Sequence, residues 1–214
     1  MKITDAAVFV HPTGDSSVRR MALEAKALGF DSIVAIDAPS CEYEGITVCS
    51  GRCIRDHAMR DVIARVKQAR TTDAVISVQA GDNGFNRAAL GLKGVHILRG
   101  IQSADKTAFD HVAAKMAADN RVAVDLDLSI LVSARGIARQ RVIHRYLDIL
   151  VLEQRFEFPL TLSTQARSIL DMRSVREITG LCSLLGMDTD DVARALGGIG
   201  LLDTPAPAAV RVIG

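Results

Sequence analysis

Short apolar runs alternate with helix-forming segments along the whole chain, and this alternation is the feature that most constrains its fold. Seven runs have the length and composition of β-strands, at residues 6–10, 32–36, 45–54, 74–79, 95–98, 121–128 and 160–164. Residues 32–36 read SIVAI, which is typical of a strand buried on both faces of a parallel sheet. The pattern therefore favours an α/β protein with a mostly parallel sheet.

Helical segments lie between these strands and after the last of them. We predict helices at residues 16–28, 56–70, 83–92, 106–118, 137–155, 174–185 and 189–196. In the longest of them an apolar stripe of Val142, Leu147, Leu150 and Val151 is expected to face the core, with a protein–protein surface as the alternative.

The number of strands in 214 residues distinguishes between the two common parallel architectures. A doubly wound sheet normally has fewer strands at this length, whereas a closed barrel normally has eight βα units and about 250 residues. We predict a compact, irregular TIM-like parallel β/α barrel of about seven strands, with the doubly wound sheet as the alternative. Residues 1–202 are expected to form this single domain. Residues 203–214, with Pro205 and Pro207, lack a helix pattern and are expected to form a C-terminal tail.

Composition and termini limit the classes of protein. No apolar run approaches the roughly 18 residues of a membrane span, so we expect no membrane partner. The start MKITD lacks the apolar stretch of a signal peptide, which predicts a cytoplasmic protein with reduced thiols.

Cys49 and Cys53 have a C-x3-C spacing that leaves a structural zinc as an alternative, although small core residues are favoured. Aromatic residues make up only 4%, which argues against a stacking platform for single-stranded nucleic acid.

The mouth of the predicted barrel carries few catalytic groups. In such barrels the functional residues follow the strands, and these positions are His11, Asp37, Arg52, Gln79, Arg99, Ser129 and 163–165. They include neither a cluster of metal ligands nor a nucleophile beside a base, so we predict no catalytic residue and no metal. His11 is expected to be a hydrogen-bonded loop residue. Asp125 and Asp127 could hold a metal, but a salt bridge with Arg99 or Arg121 is favoured for them.

Positive charge is concentrated in one segment, although the whole chain has a net charge of only +1. Residues 133–176 contain eight arginines and four acids, so the rest of the chain sums to −3. The chain has 20 arginines and 6 lysines, and the planar guanidinium binds phosphate oxygens at two points, which lysine cannot do. A solvated basic face is the alternative to an anionic partner.

The C-terminal third contains motifs that resemble a known family. Residues 160–166 (LTLSTQA), 170–177 (LDMRSVRE) and 184–187 (LLGM) resemble the signature of ribonuclease P protein component 3, the archaeal counterpart of the thirty-kilodalton eukaryotic subunit. Residues 122–131 and the arginine-rich segment 135–145 are similar to the family's strand and following helix. The N-terminal half resembles the family mainly in its alternation of strands and helices.

The resemblance implies a barrel similar to the PHP phosphoesterases, which are metal-dependent hydrolases. Those enzymes carry a His-x-His motif after the first strand and an Asp-x-His motif near the seventh. Here Phe9 occupies the place of the first histidine, and the second place reads Ser163-Thr164-Gln165-Ala166. The resemblance therefore implies a barrel without the catalytic metal. The alternative is a PHP-type metal-dependent phosphoesterase with an unusual site around His11, Asp37, Asp125 and Asp127.

The resemblance also implies the activity and the partners. Ribonuclease P removes the 5′ leader from precursor tRNA, and its RNA component performs the hydrolysis with Mg²⁺. The protein is expected to bind and stabilise ribonuclease P RNA together with component 2 and other protein subunits, and to hold no cofactor of its own. It would meet precursor tRNA through the complex. A further possibility is a scaffold that contacts component 2 and never RNA.

Nine residues are the candidates for RNA contact, and Arg173 is the first of them because Asp171-Met172-Arg173-Ser174 lies at a predicted helix start. Its alternative role is an ion pair with Asp171 or Glu177. The other candidates are Arg176, Arg135, Arg139, Arg141, Arg145, Arg99, Ser163 and Thr164. For the two hydroxyl side chains, capping of the next turn is the favoured alternative.

Overall fold

The computed structural model describes residues 2–72 and 74–202, so the predicted tail at 203–214 lies outside the described residues. The strands are β1 (Thr4–Phe9), β2 (Ser32–Ile36), β3 (Cys41–Tyr43), β4 (Ile46–Ile54), β5 (Val75–Gln79), β6 (Ile97–Arg99), β7 (Ala123–Asp127) and β8 (Leu160–Ser163). The α-helices are α1 (Val18–Ala27), α2 (Met59–Ala69), α3 (Asn83–Leu90), α4 (His111–Asp119), α5 (Leu128–Ser133), α6 (Gly136–Phe156), α7 (Val175–Cys182) and α8 (Thr189–Leu196).

Seven strands form a parallel sheet that curls into a nearly closed barrel. Their order is β1-β2-β4-β5-β6-β7-β8, and each pairs in parallel with its neighbours. The first and last strands meet where Val8 bridges Ala166 and the Phe9 N–H donates to the Ala166 carbonyl at 2.7 Å. The predicted irregular parallel β/α barrel is therefore confirmed, and the open doubly wound sheet is not what the chain forms.

Burial explains the apolar runs. Every residue of β1 and of β2 is buried, because helices cover the outside of the barrel and side chains fill its inside. The apolar stripe of α6 is only half correct, since Val142 and Leu150 are buried whereas Leu147 and Val151 are exposed. Those two exposed side chains lie beside a cavity of 570 Å³ that Leu185 and Ala195 also line.

Two short elements were not predicted. The β3 strand pairs antiparallel with β4 through a turn at Glu44 and Gly45, both of which have positive φ. The α5 helix follows β7 without a loop, because the Asp127 side chain caps it by accepting from the Ser129 N–H at 2.9 Å. Both elements are shorter than the windows in which periodicity is visible.

The four cysteines are free thiols. Cys182 is buried, and Cys49 and Cys53 are partly buried against the inner apolar cluster that contains Val34 and Val75. The favoured prediction of small core residues therefore fits their positions. Among the described helices none has both the length and the apolar character needed to cross a bilayer.

Asp5 joins the two ends of the sheet from inside the barrel. Its carboxylate accepts from the Thr164 N–H at 3.0 Å, from the Thr164 hydroxyl and from the Ala7 N–H at 3.2 Å. Burial nevertheless raises the pKa of the Asp5 carboxyl to about 6, although these hydrogen bonds favour the ionised form. At neutral pH the closure of the barrel therefore includes an ionised group that burial destabilises.

The substitution Asp5→Asn is expected to reduce the pH dependence of the free energy of unfolding. Because the folded-state pKa of about 6 exceeds the unfolded-state value of about 3.9, the stabilising protonated form is fully present below about pH 4. That stabilisation is lost as pH rises through about 6. The unfolding free energy of the variant minus that of the wild type should therefore increase by about 2 kcal/mol from about pH 4 to about pH 8.

Urea unfolding followed by circular dichroism at both pH values measures this difference. Asparagine could form weaker hydrogen bonds than the carboxyl group does. Such a loss lowers the free energy of unfolding of the variant equally at both pH values, so it cancels in the difference between them. A difference that stays constant with pH would contradict the raised pKa.

Gly198 lies where the turn after α8 packs against the start of β8. A Cβ atom there would lie 2.0 Å from the Leu160 carbonyl oxygen, so Gly198→Ala is expected to destabilise the fold by about 1–3 kcal/mol. Gly180 in α7 has no atom within 4 Å of the corresponding position. Gly180→Ala is therefore the matched control and should stabilise by about 0.5–1 kcal/mol through helix propensity. Thermal melts of both variants check the prediction, and equal effects would contradict it.

Candidate functional site

A buried ion pair occupies the interior of the barrel mouth. Arg99 ends β6, and its Nε lies 3.4 Å from the Asp125 Oδ2 while its Nη2 donates to the Ala6 carbonyl at 3.0 Å. Asp125 also accepts from the hydroxyls of Thr161 at 3.0 Å and Ser163 at 2.7 Å. The predicted salt bridge between Asp125 and Arg99 is therefore confirmed. The Asp125 carboxylate is fully engaged by groups of the protein.

The other acidic groups of the mouth are engaged as well. Asp127 caps α5, and burial raises the pKa of its carboxyl to about 6. Asp37 pairs with Arg52, and His11 lies exposed on the loop after β1. Within the described ranges, no three His, Cys, Asp or Glu side chains are grouped to hold a metal ion. The donor set therefore does not fit the metal site of a PHP-type phosphoesterase, and that alternative is not favoured.

The ion pair corrects three of the predicted RNA contacts. Arg99, Ser163 and Thr164 are each less than 5% exposed. Ser163 donates to Asp125 and Thr164 to Asp5, so both hydroxyls are used within the barrel. Prediction from position after a strand was wrong for these residues, because their side chains point into the closed barrel and not towards its rim.

Arg145 is a fourth correction. It is 7% exposed, and its guanidinium donates to the backbone carbonyls of Ile101, Asp105 and Lys106 at 3.4, 3.3 and 2.9 Å. Burial lowers the pKa of this guanidinium. Arg145 therefore binds the loop after β6 to α6 and is not available to an external ligand.

Three of the predicted arginines converge on one surface. Arg135 and Arg139 at the start of α6 and Arg173 before α7 line a groove of 460 Å³. We call this the α6–α7 groove; its other lining residues are Val132, Glu177, Gly180 and Leu181. Arg173 also lines an adjoining cleft of 310 Å³ that reaches Thr164 and Gln165 at the end of β8. The groove therefore leads towards the barrel mouth.

Backbone carbonyls, and not carboxylates, fix two of these guanidinium groups. Arg173 Nη1 donates to the carbonyls of Leu170 at 3.0 Å and Met172 at 2.7 Å. Arg135 Nη1 donates to the Val132 carbonyl at 2.8 Å at the end of α5. In the described part of the chain, Arg135, Arg139 and Arg173 form no salt bridge within 4.0 Å. Main-chain carbonyls therefore hold the charges of Arg135 and Arg173 in place, and Glu177 lines the same groove without pairing with any of the three within 4.0 Å.

The two acids that could have paired with Arg173 cap short helices. Glu177 accepts from the Ser174 N–H and hydroxyl, both at 2.8 Å, in a capping box at the start of α7. These hydrogen bonds lower the pKa of the Glu177 carboxyl. Asp171 forms a second capping box with Ser168. The alternative role of Arg173 as an ion-pair partner of these acids is therefore not realised.

Arg141 and Arg176 are exposed but lie outside the α6–α7 groove. Arg141 lies two positions after Arg139, which places it about 200° around the helix axis. Arg176 lies in the first turn of α7, while Glu177 and Gly180 supply the groove face. Both arginines stay predictions as RNA contacts, on neighbouring surfaces.

Two further arginines at the mouth were not singled out from the sequence. The guanidinium carbons of Arg55 and Arg167 lie 5.8 and 5.1 Å from the centroid of the Phe9 ring. Arg55 directly follows β4, and Arg167 lies four residues after the end of β8. Position after a strand therefore pointed to Arg55 in the sequence, whereas the contact of Arg167 with the Phe9 ring depends on the meeting of the first and last strands.

Comparison with known proteins agrees with the resemblance seen in the sequence. A family model described as RNase P subunit p30 matches residues 2–199. Ribonuclease P protein component 3 of Halorubrum lacusprofundi is 31% identical over 218 residues, covering 92% of this chain and 89% of that protein. The protein of the same name from Methanothermobacter thermautotrophicus is 31% identical over 198 residues, covering 85% and 80%.

Solved structures show the same fold at lower identity. A chain in the cryo-EM structure of archaeal ribonuclease P with mature tRNA has a TM-score of 0.70 and 19% identity, with 99% of this chain and 98% of that chain covered. Histidinol phosphate phosphatase of Lactococcus lactis, complexed with zinc, L-histidinol and phosphate, has a TM-score of 0.61 and 11% identity, with coverage of 86% and 93%. The likeness to a phosphatase agrees with the predicted PHP-like barrel. Because the family model spans nearly the whole chain, the chain belongs to the RNase P subunit p30 family, a family of protein subunits of ribonuclease P.

Proposed function

We propose that this subunit binds and stabilises the RNA of ribonuclease P through the α6–α7 groove and does not itself cleave precursor tRNA. The observation that carries the proposal is the convergence of Arg135, Arg139 and Arg173 on one groove without carboxylate partners in the described part of the chain. The three guanidinium groups repel one another, the single Glu177 carboxylate at the groove does not balance their charge, and a polyanion relieves the remaining repulsion.

The groove suits the backbone of folded RNA. Guanidinium groups fixed by main-chain carbonyls lose little conformational freedom on binding, and their remaining N–H groups can bind phosphate oxygens at two points. Aromatic residues make up only 4% of the chain, so stacking on unpaired bases contributes little. Recognition by shape and phosphate contacts, as in double-stranded RNA, fits this composition.

The proposal assigns the chemistry to the RNA component and its Mg²⁺. It is supported by the state of the mouth, where Asp125 and Asp127 are both used by protein donors. The protein partners are proposed to be component 2 and the other subunits of the particle, and precursor tRNA is met within that complex. The four free thiols suit a cytoplasmic site of action.

Removal of two groove arginines together is expected to weaken RNA binding. The slope of log affinity against log salt concentration is negative, and each lost phosphate contact reduces its magnitude by about 0.9. Arg139→Ala combined with Arg173→Ala should therefore weaken affinity for ribonuclease P RNA and reduce the slope by about two. Filter binding over a series of salt concentrations measures both quantities.

A charge-matched control separates the groove from general electrostatics. Lys93 and Lys115 are exposed and lie outside the groove, so Lys93→Ala with Lys115→Ala removes the same charge elsewhere. The control should keep a nearly normal slope. Arg173→Lys tests the guanidinium itself, because lysine keeps the positive charge but cannot donate two parallel hydrogen bonds to one phosphate. Equal slopes for the groove pair, the control and the wild type would contradict the proposal.

Reconstitution tests the role in the particle. Cleavage of precursor tRNA is measured with the RNA and the other protein subunits, with and without this chain. We expect the wild-type chain to raise cleavage at low Mg²⁺ concentration, and the Arg139→Ala, Arg173→Ala pair to raise it less. Identical cleavage with and without the chain would count against a role in stabilising the RNA.

A further inference from the structure

Phe9 supports two positively charged groups at the mouth of the barrel. The ring is 4% exposed because the protein and these two side chains cover it. The guanidinium carbons of Arg55 and Arg167 both lie within 6 Å of its centroid, at 5.8 and 5.1 Å. A cation–π contact at this distance holds a guanidinium over a ring and leaves its N–H edge free to donate elsewhere.

Backbone contacts between two segments of the barrel mouth position Arg167. The Arg167 carbonyl accepts from the Asp15 N–H at 2.8 Å, and its own N–H donates to Asp171 Oδ2 at 3.1 Å. Gly14 packs so closely that a Cβ atom would lie 2.5 Å from the Arg167 carbonyl oxygen. The loop after β1 is therefore fastened to the segment after β8, directly beside the Phe9 ring.

Nearby acids are engaged with other groups. Asp37 pairs with Arg52, and Asp56 pairs with Arg65 at 2.7 Å. Neither Arg55 nor Arg167 forms a salt bridge or a side-chain hydrogen bond among residues 2–72 and 74–202. Two exposed guanidinium groups therefore share one ring and carry uncompensated positive charge.

We propose that Arg55 and Arg167, stacked on Phe9, form a second phosphate-binding site that takes phosphodiester groups of the RNA backbone. Phe9 and Arg55 also line a cavity of 660 Å³ at this face, which is large enough for a nucleotide unit beside the bound phosphate. Neither arginine lines the α6–α7 groove, although Arg167 and Arg173 both line the 310 Å³ cleft that adjoins it. The proposal rests on the proposed function for the source of the phosphate.

The test compares two double variants in the full-length chain. Arg55→Ala with Arg167→Ala should reduce the magnitude of the negative slope of log affinity for ribonuclease P RNA against log salt concentration by about two. The control Lys93→Ala with Lys115→Ala should lower it much less. Both variants change exposed side chains, and circular dichroism melts check that the fold is retained.

The result also distinguishes the two RNA surfaces. If the Arg55, Arg167 pair leaves the slope unchanged while the Arg139, Arg173 pair lowers it, the second site is wrong and the proposed function stands. If neither pair changes the slope, both proposals fail.

A second arm identifies the source of the phosphate. Inorganic phosphate and a nucleoside monophosphate are titrated into the isolated protein while the arginine Nε–Hε signals are followed by NMR. We expect these signals to change only at millimolar concentrations, because a single phosphate contributes less binding free energy than the many phosphates of an RNA backbone. Saturation at micromolar concentration together with an unchanged RNA slope would assign the site to a small phosphate ester and overturn the RNA proposal.

Discussion

The buried pair of Arg99 and Asp125 is the interaction on which the rest of the barrel mouth depends. Both side chains are removed from water, and removing one partner of such a pair typically costs about 3–5 kcal/mol because the other charge is left buried. Thr161 and Ser163 donate to Asp125 and so connect β7 to β8. Asp5 and Thr164 continue the same hydrogen-bonded layer to β1. The polar groups of the mouth thus hold the barrel closed.

This constraint explains why the outer surface carries the proposed function. A mouth whose carboxylates already accept hydrogen bonds from Thr161, Ser163 and Ser129 has no free ligand set for a catalytic metal. The unneutralised charges lie instead around the rim and on the outer helices, where Arg135 and Arg173 are held by main-chain carbonyls. A positively charged exterior on a stable barrel is what a subunit that packs against folded RNA requires.

Local sequence patterns predicted the fold well and the site only in part. Runs such as 32–36 gave the parallel barrel because burial on both faces leaves a continuous apolar signal. Helical spacing could also have placed Arg145 in the interior, since it lies three residues after Val142 and four before Ile149, both buried. Arg99 was predicted both as a partner of Asp125 and as an RNA contact, and the choice between these roles depends on how β6 and β7 are staggered in the closed barrel. The meeting of Arg139 with Arg173 depends on the packing of α6 against α7, which no local pattern records.

Arginine footprinting shows whether RNA covers the α6–α7 groove, as proposed. The protein is treated with phenylglyoxal with and without saturating ribonuclease P RNA, and modified residues are identified by mass spectrometry. We expect RNA to protect Arg135, Arg139 and Arg173, while Arg60, whose side chain is 93% exposed on α2, stays reactive. Unchanged modification of all three groove arginines at saturating RNA would show that RNA does not cover this groove.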